Sequence, residues 1–189
     1  MTYGLKEDAS EGGAMGKVIG STTMTLDGVV TVGEWYVSEG GHDRAARELF
    51  ETPAAMLLGR KTYEGLAGYW PEQTGPWADL LNPLPKVVAS RTLQEPLEWG
   101  ATLIEGDALE GVKRLKDELE GDLVLIGCGE LARGLVGAGL VDELLFWVHP
   151  VLWGVGERPL EGDTRRLELL GSETFDSGVT LLRYGPLQD

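Results

Sequence analysis

Three segments of the chain place glycine, hydroxyl groups and cations directly after a short apolar run. In Leu57-Leu58-Gly59-Arg60-Lys61-Thr62-Tyr63-Glu64, a buried strand would end at Gly59 and a helix would open on two cations and a hydroxyl. A phosphate placed there would meet free backbone N–H groups, the positive end of the helix dipole and a side-chain donor together. The alternative is a solvated first turn that Thr62 caps. Val87-Val88-Ala89-Ser90-Arg91-Thr92 repeats the plan, and Ser90 with Arg91 would suit an adenosine 2′-phosphate. Gly127-Cys128-Gly129-Glu130-Leu131-Ala132 follows a strand with the spacing G-x-G-x-x-A, where glycine lets the backbone approach a pyrophosphate. An ordinary Rossmann domain adds a ribose-binding acid ending the next strand, about 20 residues on. Asp142 and Glu143 precede their strand instead. The glycine segment is therefore a pyrophosphate turn of another kind, or a tight strand-to-helix turn with no ligand.

Other reactive residues are sparse. Asp27 is the carboxylate in the segment 24–28 that ends the first strand. It could orient a reacting ring or relay a proton through water, or Asp27-Gly28 could be an ordinary turn held by local backbone hydrogen bonds. His42 and His149 share no ligand spacing, so metal catalysis is not indicated. Cys128 is the single cysteine, which excludes an internal disulfide, and no neighbouring base would activate it. Trp147 and Trp153 read as core or interface, and the region Leu144 to Trp153, an apolar strand expected near the open edge of the sheet, would contribute the surface of a homodimer.

These residues need a frame, and the periodicity supplies one. Strand patterns fall at 17–26, 54–58, 86–90, 101–105, 122–126, 143–148, 166–170 and 179–184. Helical spacing falls around 43–51, 60–67, 107–120 and 130–138, with Asp107 as an N-cap and Gly121 as a stop. Segment 68–85, rich in Gly, Pro and Trp, reads as a loop. Strand and helix alternate until the last three strands, which lack long helices between them. The expectation is a single α/β domain over 17–186, with a central, mostly parallel sheet, antiparallel C-terminal strands and flanking helices, preceded by an extension at 1–16.

Composition narrows the partners. A chain of 189 residues with 42% apolar and 25% charged residues is ordinary globular material. Its net charge of −15 opposes nucleic acid, whose binders need a basic surface. No apolar run approaches the roughly 20 residues of a membrane helix, and 1–16 lacks the apolar stretch of a secretory signal, so a cytoplasmic location is expected.

In this order, the three segments resemble the dihydrofolate reductase-like superfamily, and within it the reductase domain of the bifunctional riboflavin-biosynthesis deaminase-reductase. The likeness runs from about residue 18 to about 184. It includes Met24-Thr25-Leu26-Asp27-Gly28, Tyr69-Trp70-Pro71, Gly139-Leu140-Val141-Asp142-Glu143-Leu144 and His149-Pro150-Val151-Leu152. The resemblance implies NADPH across the strand ends, usually a homodimer, and reduction of a pterin-like or pyrimidine heterocycle. It implies that Gly59, Arg60, Lys61 and Thr62 face the cofactor phosphates, that Ser90 and Arg91 face the adenosine end, and that Gly127, Cys128, Gly129, Glu130 and Leu131 face the pyrophosphate. Trp35 would lie by the nicotinamide, and Asp27 or Asp43 would serve as the catalytic carboxylate. The chain also departs from its model. Ile126 stands where riboflavin-pathway reductases tend to carry an acid, and Ala46 stands at the folate-type carboxylate position, with Asp43 one turn earlier. A dimeric module that binds a nicotinamide or a pterin without turnover is the alternative reading.

Overall fold

Apolar runs without polar alternation suit strands that helices cover on both faces. Two of these, at 55–58 and 123–126, form the middle of the sheet. The computed structural model describes residues 16–160, 162 and 164–187, so the expected extension lies outside the described residues apart from Gly16. The strands are β1 Val18–Thr25, β2 Ala55–Gly59, β3 Lys86–Ala89, β4 Ala101–Leu103, β5 Leu123–Ile126, β6 Glu143–His149, β7 Leu167–Thr174 and β8 Thr180–Pro186. They form one sheet in the order β4-β3-β2-β5-β1-β6-β8-β7. All pairings from β4 to β6 are parallel, and β8 and β7 are antiparallel. This is the single α/β domain the sequence leads one to expect.

The helices are α1 Gly40–Glu48, α2 Arg60–Ala67, α3 Pro76–Leu81, α4 Ala108–Glu118 and α5 Glu130–Gly137. Val112 of α4 and Leu135 of α5 share a core with Leu57, Leu123 and Leu125 on one face of the sheet. Tyr63 of α2 and Leu81 of α3 pack with Met56, Leu58 and Val124 on the other. Asp107 caps α4 as its spacing predicts, accepting from the N–H groups of Leu109 at 2.9 Å and Glu110 at 3.2 Å. Helix α1 starts three residues before the expected 43 because its first turn is anchored from afar. The Gly41 N–H donates to Asp176 Oδ1 in the β7–β8 turn, at 3.3 Å.

Two expectations need correction. Segment 68–85 is not all loop: it holds a 3-10 turn at Trp70–Glu72 and the helix α3. Pro76 takes the first helical position, where its missing N–H costs nothing, and Ala78 and Leu81 turn inward. Strand β6 does not lie near an open edge. It sits between β1 and β8, and its apolar residues Leu144, Leu145 and Trp147 are buried within the subunit. The sheet edges are β4 and β7.

One polar group in this core has an unusual setting. Lys86 is 1% exposed. Its ammonium donates to the Asn82 carbonyl at 2.6 Å and stands 4.2 Å from the centre of the Trp99 ring. Burial lowers its pKa from 10.5 to about 8. Native Lys86 therefore sheds its proton near pH 8, whereas the unfolded chain keeps its proton to about pH 10.5. The unfolded state binds more protons across that window, so stability should rise with pH there. Urea unfolding of the wild type and Lys86→Met at pH 7 and pH 10 should show the wild type gaining on the variant by about 2 kcal/mol. Parallel pH dependences would mean that Lys86 titrates normally.

Candidate active site

The pairing of β2 with β5 sets Leu58 beside Ile126, so the turns after both strands lie side by side. Helix α2 opens at Arg60 directly after Gly59, and α5 opens at Glu130 after Gly129. No side chain caps the first turn of either helix, which leaves N–H groups for a ligand or solvent. The turns touch. Gly127 has a φ of +98°, and a Cβ there would lie 2.6 Å from Thr62 Oγ1. A Cβ on Gly59 would meet Leu131 Cβ at 3.6 Å. Thr62 thus packs on the glycine turn and does not cap α2. Gly59, Arg60, Lys61, Thr62 and the run Gly127, Cys128, Gly129, Glu130, Leu131 line two adjoining turns, a candidate cradle at the starts of α2 and α5.

The next strand end joins the cradle through charge. Ser90 Oγ accepts from the N–H groups of Thr92 at 3.1 Å and Leu93 at 3.0 Å, which orders the turn carrying Arg91. Arg91 reaches across to Glu130 Oε1 at 2.9 Å. Arg60 pairs with Glu64 at 3.2 Å, and Lys61 lies 3.8 Å from Glu157. All three pairs are exposed, so each holds its cation weakly and a phosphate could exchange into it. These features fit a dinucleotide phosphate. Burial and the Glu157 carboxylate push the Cys128 thiol above the ordinary range, which lowers its thiolate fraction and disfavours a nucleophilic role. Asp142 is spent at the amino end of the sheet, accepting from the Val18 N–H at 2.7 Å and pairing with Lys116 at 2.6 Å.

Beyond β1 the site changes character. Asp27 accepts from Thr25 Oγ1 at 2.6 Å and from the N–H groups of Trp153 at 3.0 Å and Gly154 at 2.7 Å. These bonds, the Thr25 hydroxyl first, lower its pKa from 3.8 to about 2. Asp27 is therefore a fixed anion at neutral pH, tying the loop after β1 to the loop after β6. Trp35 is buried, donates to the Thr31 carbonyl at 2.9 Å, and meets the His149 ring edge-on at 5.3 Å. It lies at the β1–β6 side, away from the cradle. Asp43 is saturated too. Burial opposes its charge, but donors from Ser38 and Trp77 together with the Arg47 guanidinium outweigh that, and its pKa is lowered. The Trp77 bond is 2.8 Å and the Arg47 contact 3.0 Å.

Sequence spacing did not bring the histidines together, but the fold does. His149 ends β6 opposite Thr25, and its ring centre lies 5.4 Å from that of His42 on α1. His42 is held by the Val37 carbonyl at 2.9 Å and by Ser177 at 2.8 Å. His149 Nε2 is buried without a partner, and burial followed by the His42 charge lowers its pKa to about 4. Only strand pairing could have shown this contact. Among the described residues no group of three or more His, Cys, Asp or Glu side chains could hold a metal ion. A cavity of about 180 Å³, lined by Val141, Glu143, Arg165 and Tyr184 among others, is at the opposite, amino end of β6.

The Asp27 bonds carry a pH signature. A carboxylate with a depressed pKa stabilises the fold above about pH 4, and that contribution is lost as pH falls through about 2. Asp27→Asn should speed hydrogen exchange at the Trp153 and Gly154 amides at neutral pH. It should also flatten the loss of protection between pH 4 and pH 2. Identical exchange in both proteins would remove Asp27 from this role.

Residues 16–181 match the model of the RibD C-terminal domain. The uncharacterized protein YyaP of Bacillus subtilis (strain 168) is 30% identical over 89% of this chain and 94% of its own length. Among solved structures, a protein from Shewanella sp. PV-4 named for riboflavin biosynthesis superposes with a TM-score of 0.72 at 19% identity, covering 91% of this chain and 99% of its own. Dihydrofolate reductase from Enterococcus faecalis, complexed with NADP(H), gives 0.63 at 17% identity over 90% and 96%. At such identities the structural likeness speaks for the fold, whereas the family model spans nearly the whole chain. The chain belongs to the RibD C-terminal domain family.

Proposed function

We propose that the protein is an NADPH-dependent reductase of a planar nitrogen heterocycle, of the riboflavin-pathway aminopyrimidine or dihydrofolate type. Two fold neighbours support the reading by what they are: a deaminase and 5-amino-6-(5-phosphoribosylamino)uracil reductase from Thermotoga maritima, and the dihydrofolate reductase named above. The observation that carries the reading is the close approach of Gly127 to Thr62, which sets the starts of two helices without side-chain caps side by side, where together they would hold an anion. NADPH would supply the hydride when bound, so no protein nucleophile is needed. Gly59–Thr62 and Gly127–Leu131 would hold its phosphates, and Ser90 with Arg91 its adenosine end. Asp27 and Asp43 are both ionised and fully hydrogen-bonded. In this reading they position loops and side chains around the ring, and the proton comes from water.

The preference for NADPH over NADH follows from Arg60, Lys61 and Arg91, cations gathered at one strand-end cluster of a chain with net charge −15. A charge-assisted bond to a phosphate contributes about 1.5–3 kcal/mol. Calorimetry should therefore show Arg60→Ala and Arg91→Ala losing about tenfold or more in NADPH affinity, and less for NADH. Equal losses for both cofactors would mean that the cations do not read the 2′-phosphate.

A binding module without turnover is favoured by one feature. Ala46, at the folate-type carboxylate position, packs into the core formed by Leu145, Trp147 and Leu181. Incubation with NADPH and a panel of pterins and aminopyrimidines separates the readings, because the module binds without consuming the cofactor. We also propose a homodimer. Its surface would be the edge strand β7, where Leu169 and Leu170 are exposed, in place of the internal β6. Sedimentation at micromolar concentration should return twice the chain mass of 20.4 kDa, and a monomer would overturn the assignment.

A further inference from the structure

The loop after β6 crosses the strand ends and is fastened along its length. The Leu26 N–H donates to the Val151 carbonyl at 2.9 Å, and Asp27 takes the N–H groups of Trp153 and Gly154. Gly156 has a φ of +137°, and a Cβ there would lie 2.4 Å from Val29 Cγ1, so only glycine lets the loop press this closely. The Val30 N–H donates to the Glu157 carbonyl at 2.9 Å, and the Glu157 N–H donates to Thr31 Oγ1 at 3.0 Å. Arg158 donates to the Asp27 carbonyl, and the Leu160 N–H to the Cys128 carbonyl at 3.3 Å. The backbone of Glu157 is therefore fixed from both sides, while its side chain remains 77% exposed.

That side chain points its charge at the cradle. Glu157 Oε1 is 3.8 Å from Lys61 Nζ in the first turn of α2. The same carboxylate is close enough to the glycine turn after β5 to raise the pKa of the Cys128 thiol, second only to burial as a cause. An anion at this place faces Lys61 in the first turn of α2 and acts on the glycine turn that precedes α5, the two segments argued above for the cofactor phosphates. We infer that Glu157 sets the cofactor affinity of the cradle by holding its own carboxylate at the edge of the phosphate position, from which the cofactor must displace it. The inference rests on the cofactor reading above.

Displacement needs no unfolding of the loop. The anchors belong to the backbone, and a Glu side chain released from one exposed ion pair can rotate into solvent at small cost. The carboxylate thus disfavours small anions with few contacts. A dinucleotide that also engages Arg60, Arg91 and the backbone N–H groups can outcompete it.

The test uses the full chain, the variant Glu157→Gln, and Glu120→Gln, exposed in the turn between α4 and β5, as a control for net charge. Glu157→Gln should bind NADPH about three- to tenfold more tightly than the wild type, while Glu120→Gln should match the wild type. Cys128, the single cysteine, gives a second readout without cofactor: iodoacetamide should alkylate it faster in Glu157→Gln. Equal NADPH affinity in Glu157→Gln and the wild type overturns the inference while leaving the cofactor reading intact. An equal gain in both variants overturns it too, because net charge alone would then explain the effect. If no form binds NADPH, the cofactor reading falls and the inference with it.

Discussion

The parallel pairing of β2 with β5 is the constraint on which the candidate site depends. Parallel strands deliver their carboxyl ends to the same side of the sheet, and here Leu58 beside Ile126 brings two strand-to-helix turns into contact. Because Gly127 lies against Thr62, a side chain at 127 would drive the turns apart and separate the two sets of free N–H groups. The buried runs of β2 and β5 enforce this register. A slip by one residue would move Met56, Leu57, Leu58 and their β5 partners to the wrong faces of a sheet covered on both sides.

The two sides of that cradle are built by different physics. On the β3 side, exposed ion pairs leave Arg60, Lys61 and Arg91 oriented but loosely held. On the β1–β6 side, groups are held by several partners each: Asp27 by three donors, Asp43 between Ser38, Trp77 and Arg47, and buried Trp35 against buried His149. Such preorganisation fits a region that must hold a shape, whereas displaceable pairs fit one that must admit a charged ligand. Buried neutral His149 extends the rigid side. Its proton uptake is suppressed until about pH 4, so this packing keeps one charge state through the neutral range.

Much of this was legible in the sequence because it is local. Each of the eight strands and four of the helices announce themselves by periodicity, the Asp107 cap by its place before an apolar helical face, and the turns of the cradle by glycine after a strand. What stayed hidden depends on partners far apart in the chain. Asp176 starts α1 across 135 positions, His42 and His149 meet only through the β1–β6 pairing, and Asp27 finds its donors at 153 and 154. Helix α3 was hidden for another reason: its Gly and Pro neighbours signal a loop, and only burial of Ala78 and Leu81 overrides them. The apolar character of β6 was visible, but its place between β1 and β8 was not. An internal strand and an exposed edge strand of an interface read alike in one dimension.

The acidity of the chain bears on all of this. With 31 acidic and 16 basic residues, its overall field repels an anionic ligand. Screening confines that field to about 10 Å at ordinary ionic strength. Within that range the local arrangement governs. Each of the three cradle cations already faces a carboxylate of the same chain, Glu64, Glu157 or Glu130. A bound phosphate would therefore exchange one anion for another and add no charge to a bare site. The net gain must come from what a carboxylate on a tether cannot reach, the N–H groups of two helix starts held side by side by Gly127 and Thr62. On the proposed cofactor reading, selectivity for a dinucleotide would follow from geometry, because a long, multiply charged ligand can replace several weak internal pairs at once and fill both helix ends.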